Sequence, residues 1–143
     1  MNYKSADIGL LIFRIITGLS LAFAHGYNKL QKLIDGGEIK FMNFLGLGSE
    51  VSLFLAMSAE FFFALLVTLG LFTRLSTIPI IITMGIAAFI AHADDPFASK
   101  EKAVLFLASY LLLFFTGPGR FSIQNLFSKK LANIKGIKRF ILE

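Results

Sequence analysis

Val51-Ser-Leu-Phe-Leu-Ala-Met-Ser-Ala-Glu60-Phe-Phe-Phe-Ala-Leu-Leu-Val-Thr-Leu-Gly70-Leu-Phe72 carries one charge, near its middle, in an otherwise apolar run. Its length matches the roughly 17–25 residues a helix needs to cross hydrocarbon. Helix is the expected form, because backbone polar groups find no water partner there. Outward from this run lie three more apolar stretches, Ile8–Ala24, Leu75–Ala91 and Ala103–Thr116, divided by short polar segments. With their flanks they predict spans over about 7–27, 50–72, 75–92 and 101–116, the last reaching spanning length only through those flanks. The expected fold class is all-α: a polytopic membrane four-helix bundle, with residues 1–143 forming a single membrane domain.

Composition points the same way. Of 143 residues, 56% are apolar, 16% are charged and 17 are Phe, with a mean hydropathy of +0.75. A soluble domain this small leaves too much surface in water to hide so much apolar area. Zero cysteines exclude a disulfide scaffold and thiolate relays through the chain's own residues. The hydrophobicity excludes disorder. The first stretch does not read as a cleaved signal peptide, since Asp7 precedes it, Arg14 lies inside it, and no small-x-small site is followed by a soluble domain.

Direction follows from the basic residues. Four crossings put both termini on one side, with the tight turn around Thr73–Arg74. That side carries Lys4, Arg74, Arg120, Lys129, Lys130, Lys135, Lys138 and Arg139; the other carries Lys29, Lys32, Lys40, Lys100 and Lys102 among six acids. The positive-inside rule therefore places both termini in the cytoplasm. After Gly119, Phe127, Leu131, Ile134, Ile137 and Ile141 recur at helical steps with lysines between them. Residues 120–143 thus read as a basic amphipathic segment lying on an anionic cytoplasmic leaflet. This explains much of the pI of about 9.6 without nucleic acid, for which no motif is present.

Arg14 and Glu60 are the charged residues well inside the spans. Each costs at least roughly 2.5–3.5 kcal/mol in a bilayer unless it turns inward to a partner. The expectation is that they pair, either as a lock between the first two helices or as the floor of a ligand pocket. A third arrangement leaves Glu60 protonated and sends Arg14 snorkelling to the cytoplasmic end. His25, eleven residues after Arg14, returns to within about 20° of its helix face. Gly18 falls near the same line, where a small residue permits close helix approach. His92 ends the third span, on the same membrane side as His25. No spacing fixes two metal ligands on one helix turn, so no metal is assigned. The Phe61–Phe63 run and the Phe106, Tyr110, Phe114 stripe are read as helix packing or a flat apolar slot. Pro79 is expected to kink the third span or sit in its first turns, and Gly117-Pro118-Gly119 to stop the fourth.

Taken together these residues resemble the DoxX family. Gly9-Leu-Leu-Ile-Phe-Arg14, His25-Gly26 with Lys29-Leu30, Glu60 ten residues before Gly70, Arg74, His92 and Gly117-Pro118-Gly119-Arg120-Phe121-Ser122 carry the likeness, over about residues 6–127. The chain departs from it at Gln124, where an acid is usual, and at Ala64, where Gly is common. The resemblance implies a four-helix bundle in the bacterial inner (plasma) membrane and membrane redox systems. The family name comes from a subunit linked to an archaeal terminal quinol oxidase and thiosulfate:quinone oxidoreductase.

Three functional expectations follow. The first is a redox-associated subunit holding a quinone or similar lipid-soluble ligand among Arg14, His25, Glu60 and His92, beside other membrane or redox subunits. Here Gly18, Arg74, Gly117, Pro118, Gly119 and Arg120 serve structure. The second is a non-enzymatic assembly or anchoring subunit with a purely structural Arg–Glu pair. A transporter is a third, weaker expectation, because the chain is short and shows no inverted repeat. No reaction is assigned.

Overall fold

Long apolar runs broken by glycine and short polar loops give helices joined end to end. The computed structural model describes residues 3–131, and every regular element among them is helical. We label these α1 (Lys4–Asp35), α2 (Ser49–Leu69), α3 (Thr73–Ala91), α4 (Phe97–Thr116) and α5 (Ile123–Leu131). The first three are long and apolar enough to cross a membrane. In α4, Lys100, Glu101 and Lys102 occupy the early turns, so its uninterrupted apolar part is only Ala103–Thr116.

The first helix is much longer than the 7–27 expected. After Gly26 it continues through Leu30 and Leu33 and stops at Gly36, whose φ of 67° a residue with a side chain rarely adopts. The second turn also lies earlier than expected. Gly70 (φ 71°) closes α2 and Thr73 already opens α3. Arg74 is thereby freed to donate to the carbonyls of Phe114 (3.1 Å) and Phe115 (3.4 Å), capping the end of α4. Pro79 lies within the second turn of α3. Gly117 (φ 75°) terminates α4 as anticipated.

The α1 helix runs antiparallel to α2, and two small residues set their register. A Cβ on Gly18 would overlap the Thr68 hydroxyl; one on Gly26 would stand 2.6 Å from the Glu60 carbonyl carbon and the Phe61 nitrogen. The extension Tyr27–Asp35 packs on Ser49–Met57, while α3 lies along α4. Leu21, Ala22, Ala64, Val67, Ile80, Met84, Tyr110 and Leu113 fill the centre. The outward faces carry Ile12, Ile16, Phe89, Leu105 and Phe115, all exposed. So large an unpartnered apolar surface needs an apolar solvent. In the tail, α5 accounts for Ile123–Leu131; the expected continuation through Ile134, Ile137 and Ile141 lies outside the described residues.

These helices gather two ends. At the turn end meet the start of α1, the Gly70–Phe72 turn, and the stretch from Gly117 through α5. At the loop end lie residues 36–48 and 92–96.

Candidate functional site

Three of the long helices contain a π turn: Ala22–Gly26 within α1, Ser58–Phe63 within α2 and Ala87–Ala91 at the end of α3. A π turn admits one extra residue, widens the helix and re-aims the side chains that follow. These turns contain His25 and Glu60, and the third leads directly into His92.

Glu60, buried, accepts from the Lys29 ammonium one turn beyond Gly26. The close approach at Gly26 makes this pairing possible, because it brings the α1 backbone against Glu60 itself. The pair borders a cleft of about 610 Å³ opening between α2, α3 and the 40–44 segment. Its walls are mostly apolar (Phe41, Met42, Leu55, Phe63, Ile82, Ile86), with Ser58, Thr83 and His92 as further polar groups. At its edge His92 Nδ1 lies 2.6 Å from Asp95 Oδ2, a contact that orients the ring on a partly exposed loop.

The expected Arg14–Glu60 pair is not formed. Arg14, 1% exposed, donates from Nε to the Thr68 carbonyl (3.1 Å), from Nη1 to the Pro118 carbonyl, and from Nη2 to the Phe121 carbonyl (2.7 Å). The glycine register sets Glu60 level with Gly26, twelve residues past Arg14, or about 18 Å along the helix. Depth counted from the ends of the apolar runs underestimates this separation, because those ends are not level: the register sets Gly18 against Ala64 and Thr68, so α1 begins well beyond the end of α2. Arg14 thus reaches toward the turn end, as in the snorkelling arrangement, but it ends on backbone carbonyls, and Glu60 has Lys29.

The four expected ligand residues are therefore divided. Glu60 and His92 line one cleft, while Arg14 serves the opposite end. His25 packs its ring edge-to-face with Phe106 of α4, centroids 5.8 Å apart, and does not line the cleft. Lys29, which pairs with Glu60 and lines the cleft, is the residue that sequence reasoning left among loop cations. The signal that finds it is the i, i+8, i+11 seam of Gly18, Gly26 and Lys29, once the helix is carried past residue 27.

The remaining structural positions cluster at the turn end. Pro118 is buried, and a Cβ on Gly119 (φ 73°) would touch Leu10 at 3.3 Å. The Arg120 amide donates to Asp7 Oδ1 at 3.0 Å, and its guanidinium stands 3.5 Å from Asp7 Oδ2. Gln124 is buried, and its backbone N–H donates to the Gly70 carbonyl (3.2 Å).

A DoxX sequence profile matches residues 9–93, which include the π turns, Lys29, Glu60 and His92. A Bacillus subtilis (strain 168) protein named "Putative oxidoreductase CatD" is 33% identical over 115 residues, covering 80% of this chain and 83% of that protein. No solved structure matches significantly. With the profile spanning more than half the chain and that relative aligned over most of both lengths, the chain belongs to the DoxX family of membrane proteins.

Proposed function

We propose that this protein is a redox-associated subunit, a four-helix bundle of the inner membrane with both termini cytoplasmic, and that its loop-end cleft holds a quinone or similar lipid-soluble ring. The observation that carries the reading is the Lys29–Glu60 ion pair at the wall of an apolar cleft of about 610 Å³. That volume lies in the range of small-molecule sites, and a few convergent polar groups in an apolar slot set ligand orientation. Lys29 donates to a ring oxygen, Glu60 accepts from a ring hydroxyl, and His92 adds a second polar contact at the mouth. The oxidoreductase name of the Bacillus relative supports redox association. Since the chain has no cysteine, the ligand or a partner subunit carries the electrons.

The competing reading is an assembly subunit, favoured by Arg14, whose bonds all go to the chain's own backbone. Gentle purification followed by solvent extraction and mass spectrometry separates the two. The cleft reading expects a retained quinone, reduced about tenfold in both Lys29→Met and Glu60→Gln by loss of a charge-assisted contact. Arg14→Gln, where it remains folded, keeps the ligand because it touches a different end. Folded wild-type protein with no lipid-soluble ring under these conditions overturns the cleft reading in favour of assembly.

A further inference from the structure

Arg14 raises a question the cleft does not answer. Its guanidinium is buried, and three of its five N–H bonds meet carbonyl oxygens. Carbonyls satisfy hydrogen bonds but do not neutralise a unit charge. Among the described residues no carboxylate pairs with it; the ion pairs there are Lys29–Glu60, His92–Asp95 and Arg120–Asp7. A buried cation without an anion is costly, so the surroundings should supply one.

The place for that anion is open beside it. A depression of about 410 Å³ is lined by Arg14, Arg120, Thr68 and Ser122 and floored by Leu11, Leu69, Phe121 and Leu126. Arg120 is largely exposed there and is itself paired with Asp7, so the two arginines and one acid leave the corner net positive. The first turn of α5, with its partial positive charge, borders the same depression. The depth is right as well. The Arg14 guanidinium reaches the last turn of α2 at Thr68 and carbonyls beyond the end of α4 at Pro118 and Phe121, where apolar helix gives way to polar chain. Phosphate on an apolar floor at that level describes a phospholipid.

We propose that this turn-end depression is a binding site for an anionic phospholipid, its headgroup phosphate held by Arg120 against the buried charge of Arg14 and its acyl chains lying over Leu11, Leu69 and Leu126. The site is separate from the loop-end cleft and does not depend on what that cleft binds.

The test uses the full chain, delipidated in mild detergent, with phosphatidylglycerol or phosphatidylcholine added and lipid adducts counted by native mass spectrometry. Wild type should prefer phosphatidylglycerol by at least about fivefold, and Arg120→Gln should lose about fivefold of that preference, one interfacial cation's worth. Arg14→Met should abolish the preference; should it fail to fold, Arg120→Gln carries the test alone. A Lys32→Gln control, at the loop end, should keep it. Equal retention of the two lipids by wild type overturns the proposal, as does an Arg120→Gln preference equal to wild type. Inorganic phosphate that competes fully with the lipid at millimolar concentration overturns the lipid as occupant.

Discussion

At the scale of the residue, the decisive fact is which partner each buried charge takes. Lys29 and Glu60 are both largely withdrawn from solvent, with side-chain exposures of 21% and 6%. Removing one partner strands the other in low dielectric, whereas replacing both can be nearly neutral. Lys29→Met should therefore destabilise the folded protein by about 3 kcal/mol, and Lys29→Met with Glu60→Leu should recover most of that. Thermal unfolding in detergent, followed by circular dichroism as a double-mutant cycle, measures both. A double variant as unstable as the sum of its singles would show that the two side chains do not interact. The sequence made it plain that Arg14 and Glu60 must each find a partner, because charge in hydrocarbon is expensive wherever it stands. It could not name the partners. That depended on Lys29 belonging to a helix, and on backbone carbonyls at Pro118 and Phe121, which carry no side-chain signature, serving as acceptors.

At the scale of the element, helix pairing is set by where side chains are missing. Gly26 lets α1 rest on the Glu60–Phe61 backbone, and every geometric consequence at the cleft follows from that approach. Gly26→Ala should force the helices apart at a cost of about 1–3 kcal/mol and weaken ligand retention with it, since the rigid backbone cannot give way as a side-chain tip can. Gly85, inside α3 with nothing within 4 Å of where a Cβ would stand, provides the contrast. Gly85→Ala should leave stability unchanged or raised by up to about 1 kcal/mol. Equal losses at both positions would refute the register argument. The helices themselves were legible from apolar length and glycine stops, as with Gly117 after α4. The π turns were not, because one extra residue in a turn leaves the apolar content unaltered while rotating everything beyond it. A regular 3.6-residue period aligned His25 with Arg14. With the π turn at Ala22–Gly26, the His25 ring packs on Phe106 instead.

At the scale of the whole molecule, the two ends carry different chemistry, and the proposed orientation decides which faces the cytoplasm. The turn end holds Arg14, Arg74 and Arg120, and the loop end mixes cations with acids, so the positive-inside rule directs the turn end inward. The weak point is α4, whose apolar part is short because Lys100, Glu101 and Lys102 stand near its start. If α4 crosses, α5 returns to the side of the amino terminus; if α4 lies along the interface, α5 stays with the 92–96 loop. A chain without cysteine permits a direct reading, since a single introduced thiol is the only target for a membrane-impermeant maleimide. Glu38→Cys and Ala93→Cys should label in intact cells, whereas Lys4→Cys and Phe127→Cys should label only after permeabilisation. Phe127→Cys labelling alongside Ala93→Cys would reduce the bundle to three crossings and carry the Arg14–Arg120 corner across with it only in part, since α1 and the Gly70 turn would remain where Lys4 is. That corner is tied together by Arg14 to Pro118 and Phe121, by Asp7 to Arg120 and by Gly70 to Gln124. Such a split would break every one of these contacts, so the proposed four-crossing arrangement, which keeps them, expects Phe127→Cys to label with Lys4→Cys and not with Ala93→Cys.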